Sequence, residues 1–176
     1  MTISPMPLSH AVALVAFVPM VLVSAGYAGA GELGVNVYGL SYHFEREEAK
    51  ERGLDNEVNP GLGLRYRIPR QDFDWFLDGG AYRDSGRNTA LYAGGGAFWK
   101  PTRRIRLGGA LAFFHSDTYN DGDAFVAPVP LAAYEWRPAT ITVAYFPKIG
   151  GVNDINTLGF WLTLWLNSGS GPVVSD

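Results

Sequence analysis

The stretch FDWFLDGGAYRDSGRNTALYAGGGAFWKPTRRIRLGGALAFFH (residues 73–115) decides the fold. It holds three β-rich runs, near 73–84, 89–99 and 104–115, each of about ten residues and each bounded by turn residues. Alternate residues of a strand face opposite sides. One parity collects Phe73, Trp75, Leu77, Ile105, Leu107, Leu111 and Phe113. The other carries Asp74, Asp78, Gly80, Tyr82, Gly94, Gly96, Arg104, Arg106, Ala110 and Ala112. Apolar residues on one face and charged or small ones on the other describe strands with lipid outside and a filled interior.

The same pattern continues in both directions. Further strands are expected near 33–44, 59–68, 124–134, 139–149 and 155–166, making eight. Connections 69–72, 100–103 and 135–138 are tight, whereas 45–58, 116–123 and 150–154 are longer and polar; 85–88 is short. Strands of this length, with tight turns at one end and longer loops at the other, predict an all-β, eight-stranded antiparallel transmembrane barrel. A turn or two of helix is compatible with EREEAKERG in the first long loop. The outward parity continues through Tyr38, Leu40, Tyr42 and Phe44, then Leu62, Leu64, Tyr66 and Ile68. It closes with Phe125, Val129 and Leu131 on strand six and Leu158, Phe160, Leu162 and Leu164 on strand eight. A soluble lipocalin-like barrel is the alternative, but its outer face should be polar.

Ahead of the first strand, the apolar run AVALVAFVPMVLVSA (11–25) runs into small residues ending at Ala28-Gly29-Ala30. This is the pattern of a secretory signal peptide over 1–30, although its start lacks Lys and Arg. The barrel is then expected over 31–166, with a tail at 167–176. The chain has no cysteine, so an exported domain must rest on hydrogen-bonded sheet and packing rather than disulfides. A net charge of −3 gives no sign of a nucleic-acid partner.

The interior parity differs between its two ends. Near the tight turns it holds Arg65, Arg67, Asp74, Asp78, Arg104 and Arg106, which can pair and fill the lower barrel. Near the long loops it holds Gly39, Ser41, Gly61, Gly63, Gly80, Tyr82, Gly94, Gly96, Ala110, Ala112, Ala144 and Phe146. So many small residues point to an apolar cavity sized for one acyl chain, or to glycines that merely permit curvature. At the mouth, His43, Asp84 and Ser85 converge, a set suited to general-base activation of an alcohol, with Asp84 orienting His43. Asp-Ser-Gly is also an ordinary turn. His115 shares outward parity and belongs to the rim. Pro128, Pro130 and Pro147 interrupt strands six and seven, where proline cannot donate to the ladder. They mark either a weakened seam that admits a lipid tail or simple register-setting bulges.

Two segments resemble the PagP family of outer-membrane lipid A palmitoyltransferases. PVPLAAYEWRPATITVAYFP (128–147) is similar to that family's proline-leucine-proline strand, tight turn and Tyr-x-Pro strand. AYRDSGRNTALYAGGG (81–96) is similar to its aromatic-x-Asp-Ser segment and following glycine strand. The resemblance is best from Asn59 to Leu166 and departs in that only Gly31 and Glu32 precede strand one, where the family has an amphipathic helix. It implies that His43, Asp84 and Ser85 are catalytic and that Gly96 floors an acyl-chain pocket also lined by Gly94 and Tyr82. It further implies that Pro130 and Pro147 lie at one lateral lipid opening and Pro60 at another. The activity implied is transfer of a palmitoyl chain from a glycerophospholipid to lipid A in the bacterial outer membrane, by a monomer without metal or cofactor.

Overall fold

The computed structural model describes residues 31–166; the signal-peptide reading of 1–30 and the tail at 167–176 lie outside the described residues. Eight antiparallel strands close into a barrel in chain order. They are β1 (Glu32–His43), β2 (Val58–Pro69), β3 (Phe73–Arg83), β4 (Thr89–Trp99), β5 (Ile105–His115), β6 (Phe125–Glu135), β7 (Ala139–Phe146) and β8 (Thr157–Trp165). The first long loop carries one short helix, α1 (Arg46–Glu51). Closure leaves no sheet edge, which is the condition for strands to cross a bilayer.

The outer face is that of a membrane barrel. Leu40, Leu62, Leu64, Trp75, Leu77, Leu107, Leu111 and Ile141 are all exposed. Phe73, Trp99, Tyr134 and Trp136 ring the tight-turn end, and Tyr42, Phe44 and Tyr145 stand at the other. An apolar surface this continuous is stable only against lipid, and aromatic rings suit its two interfaces.

Two parities differ from the sequence expectation. Tyr38 points into the barrel, because the β1 register shifts between Tyr38 and Leu40 and places a bulge at Gly39. On β6 the assignment is reversed: Val129 and Leu131 are buried and Phe125 is half-buried against the interior cluster, while Pro128 and Pro130 face outward. The β5–β6 register explains this, pairing Ala110 with Val129 and Phe114 with Phe125, both partners facing inward.

The lower interior is an ion network. Arg65 makes a two-pronged pair with Asp78 (2.7 and 2.5 Å) and lies over the rings of Phe76, Phe98 and Trp161. Arg67 pairs with Glu32 and, at 2.8 Å, with Glu135. Arg106 bridges Asp74 (3.2 Å) and Glu135 (3.1 Å). Arg104 is not part of it: it precedes β5, is exposed and donates to the Tyr134 hydroxyl. The carboxylates Glu32 and Glu135 take the places that sequence parity left unfilled. Buried charges this well paired fill the lower barrel.

Candidate functional site

Above the ion network the barrel holds an open-mouthed cavity of about 150 Å³. Small residues from six strands shape it: Gly39, Gly94, Ala110, Ala112, Ala127, Ala144 and Gly159. Phe114, Phe125, Phe146 and Trp161 supply the apolar wall, and Asp78 marks the floor. Tyr38 crosses from β1 to meet Tyr82 and Tyr92, closing one side with a cluster of rings 5.6 Å apart. Tyr82 and Gly94 line this cavity as expected.

Gly96 does not line it. A Cβ on Gly96 would stand 2.8 Å from the Phe76 ring and 2.1 Å from the Gly109 carbonyl. Phe76 therefore fills the space beside Gly96, and the floor lies higher, at Asp78.

Four loops converge over the mouth. Asn56 of the first donates to the Asp84 carbonyl at 2.8 Å, and its backbone N–H reaches the Ser85 carbonyl at 3.2 Å. Asn88 bonds Thr118, and Asn120 bonds Val152, so the second, third and fourth loops are tied in turn. Arg52 pairs with Asp154, and Lys148 with Glu48, joining the first loop to the fourth.

Beneath this cover sit the expected trio, all buried. His43 closes β1 with its imidazole inward, and its Nε2 lies 2.9 Å from Ser85 Oγ. Ser85 is also part of the cavity wall. Asp84 does not orient His43. Its Oδ1 accepts the Asn88 backbone N–H (2.9 Å), and its Oδ2 accepts the Ser116 hydroxyl. Asp84 instead braces the tight β3–β4 turn that presents Ser85, the role Asp ordinarily has in turns. The carboxylate facing His43 is Glu57, with Oε1 3.6 Å from Nδ1 and 3.1 Å from the His43 backbone N–H. Glu57 is held in turn by Arg46 of α1, at 2.9 Å.

Sequence reasoning missed Glu57 and Tyr119 and gave Ser116 no role. Glu57 ends a polar loop with no periodicity to flag it. Ser116 belongs to the run His115-Ser116-Asp117, whose His115 is exposed as its outward parity requires. Tyr119 lies in the third loop, where burial pushes its phenol above the usual range, partly offset by hydrogen bonding with Ser85. A phenol kept protonated in this way remains a hydrogen-bond donor beside the serine. Asn59 also lines the cavity, and its buried Oδ1 has no partner among the described residues. An orphaned acceptor in a cavity wall suits a ligand donor.

Pro60, Pro128 and Pro130 all face outward, but Pro128 also borders the cavity, which Pro147 lines. Pairing between β6 and β7 covers only Leu131–Glu135 against Ala144–Thr140 and stops there. The β5–β6 ladder meanwhile runs on unbroken past both prolines to Phe125. Prolines two apart direct their missing donors to the same neighbour, and here that neighbour is β7. The upper β6–β7 seam is therefore unpaired. Pro60 stands where the β1–β2 register shifts, a second weak point in the wall.

No protein-family model matches this chain, and no curated protein does. Among solved structures, a de novo designed transmembrane β-barrel superposes with a TM-score of 0.52 at 16% identity, covering 78% of this chain and 98% of the design. The Yersinia pestis outer-membrane protein Ail in a phospholipid bilayer nanodisc gives 0.43 at 14% identity, covering 77% and 99%. A crystal structure of Ail with the heparin analogue sucrose octasulfate gives 0.38 at 14% identity, covering 78% and 99%. The likeness to the designed barrel shows the fold that this chain shares: a closed eight-stranded transmembrane β-barrel.

Proposed function

We propose that this chain is an outer-membrane acyltransferase that moves an acyl chain from a glycerophospholipid to a hydroxyl of lipid A. The observation that carries the reading is the 2.9 Å contact between His43 Nε2 and Ser85 Oγ, at the mouth of an apolar cavity inside a lipid-facing barrel. The cavity takes the acyl tail, and the donor's ester then lies beside a hydroxyl and its base, within the reach general-base catalysis needs. The unpaired β6–β7 seam offers the tail a sideways path from the leaflet. The resemblance to lipid A palmitoyltransferases supports lipid A as acceptor and the outer membrane as location.

The test is expression in a Gram-negative host lacking any such enzyme, with lipid A analysed by mass spectrometry. One added acyl chain, lost with His43→Ala, is the expected result. An unmodified lipid A with a correctly inserted barrel removes the proposal.

A second reading is a barrel that binds a lipid without turnover. The engagement of Asp84 by Ser116 and Asn88, rather than by His43, favours it. A lipid that co-purifies and is equally retained by His43→Ala and Ser85→Ala, with no acylated product, would establish this reading instead.

A further inference from the structure

We infer that Ser85 is a nucleophile activated by a His43–Glu57 relay, so that the acyl group passes through a covalent ester on Ser85. The inference rests on the acyl-transfer reading above and adds the order of bond making.

Three observations carry it. Ser85 Oγ stands 2.9 Å from His43 Nε2 with both side chains buried, which is the pairing of a nucleophile with its base. The other imidazole nitrogen faces a carboxylate, Glu57, at 3.6 Å, and that carboxylate also receives the His43 backbone N–H. This supplies a third member whose negative charge, close to the ring though beyond hydrogen-bond reach, favours its imidazolium form. Ser85 in turn lines the cavity, so its hydroxyl meets whatever the cavity holds. The sequence order is His43, Glu57, Ser85, and the three come from the end of β1, the residue before β2 and the β3–β4 turn. Such triads are recognised by geometry and not by order.

The chemistry balances without a cofactor. His43 Nε2 takes the Ser85 proton as Oγ forms a bond to the donor's carbonyl carbon. The tetrahedral intermediate collapses, the ester C–O bond to glycerol breaks, and His43 returns the proton to the departing lysophospholipid oxygen. In the second half, the acceptor hydroxyl gives its proton to His43 and attacks the acyl-Ser85 carbonyl. The bond to Oγ breaks, and the serine takes the proton back. Glu57 is a positioning residue throughout, acting through His43. Arg46, bonded to both Glu57 oxygens, limits the charge that Glu57 can lend.

The test uses the whole chain folded in detergent micelles, with folding checked for each variant by heat-dependent gel migration. An alkyl fluorophosphonate should label Ser85 alone, as read by peptide mass spectrometry. Acid quenching during turnover of a p-nitrophenyl acyl ester should trap one acyl group on the same peptide. Ser85→Ala should abolish both signals, and His43→Ala should slow labelling at least about 100-fold, the usual worth of a positioned base. Glu57→Gln keeps the shape and the bond from the His43 backbone. It should lower the maximal labelling rate about 10-fold while leaving probe affinity unchanged, a split that a purely structural role would not produce. A folded barrel whose Ser85 accepts neither probe overturns the inference, as does labelling at the wild-type rate in His43→Ala or Glu57→Gln. Lipid A acylation by a chain whose Ser85 never labels would sink the covalent step alone. Labelling without lipid A acylation would instead sink the choice of acceptor.

Discussion

Phe76 keeps Gly96 from flooring the cavity, whose base lies at Asp78, the next inward residue of β3. Phe76 lies on β3 beside Gly96 of β4, and its ring occupies the space that the glycine leaves. Gly96→Met would drive a side chain into the Gly109 carbonyl, so it reports on strand packing and not on chain length. Phe76→Ala is the informative change. It should deepen the cavity and shift acceptance toward longer acyl chains, read by mass spectrometry of products from mixed donors. The same change should cost about 3–5 kcal/mol of stability, as buried Phe→Ala changes do. An unaltered chain-length preference would place the floor at the Arg65–Asp78 pair alone. At this scale the sequence was most legible where parity was undisturbed: His43, Tyr82 and Gly94 all face inward from ordinary alternation, and Ser85 follows the inward Asp84 in the β3–β4 turn. Glu57 and Tyr119 were not, because loop residues reach the site through turns that no periodicity encodes.

At the level of elements, the β6–β7 seam and the ion network make opposite contributions. The seam is where pairing ends, at Leu131 and Ala144. The chain has no cysteine of its own. A pair introduced as Pro130→Cys and Tyr145→Cys, one step above the last paired residues, would lock the two strands when oxidised. Transfer should fall several-fold in the oxidised form and recover with reductant; equal activity in both forms would mean that the tail enters elsewhere. The network below resists change. Asp78→Ala leaves Arg65 buried without its carboxylate and should destabilise the barrel by about 3–5 kcal/mol, measured by urea unfolding in lipid vesicles. A loss below about 1 kcal/mol would show that the Phe76, Phe98 and Trp161 rings hold the guanidinium unaided.

Strand positions and the outer belt could be read from composition and alternation, because a period of two is strict along an unbroken strand. Two interruptions were invisible in that reading. Gly39 inserts a bulge that turns Tyr38 inward, and an isolated glycine in a strand is the only signal of it. On β6 hydrophobicity alone points the larger residues toward lipid, yet Pro128 and Pro130 hold that side and the bulkier Val129, Leu131 and Phe125 fill the interior.

Across the whole molecule, the three layers stack along the barrel axis. A paired ionic base fills the lower barrel, an apolar chamber sits above it, and four tied loops cover a histidine–serine pair at the mouth. This order suits a device that holds one lipid tail and presents its ester, and it does not suit a pore. Conductance in a planar bilayer should accordingly be negligible, and it should stay so after Phe76→Ala, since the ion network lies beneath. Acyl transfer can be measured outright in vesicles carrying the folded protein, lipid A and a phospholipid labelled in one acyl chain. The label should appear on lipid A with an equal amount of lysophospholipid, and Ser85→Ala and His43→Ala should abolish the transfer. A folded, inserted barrel that leaves all the label on the phospholipid would contradict the acyl-transfer reading.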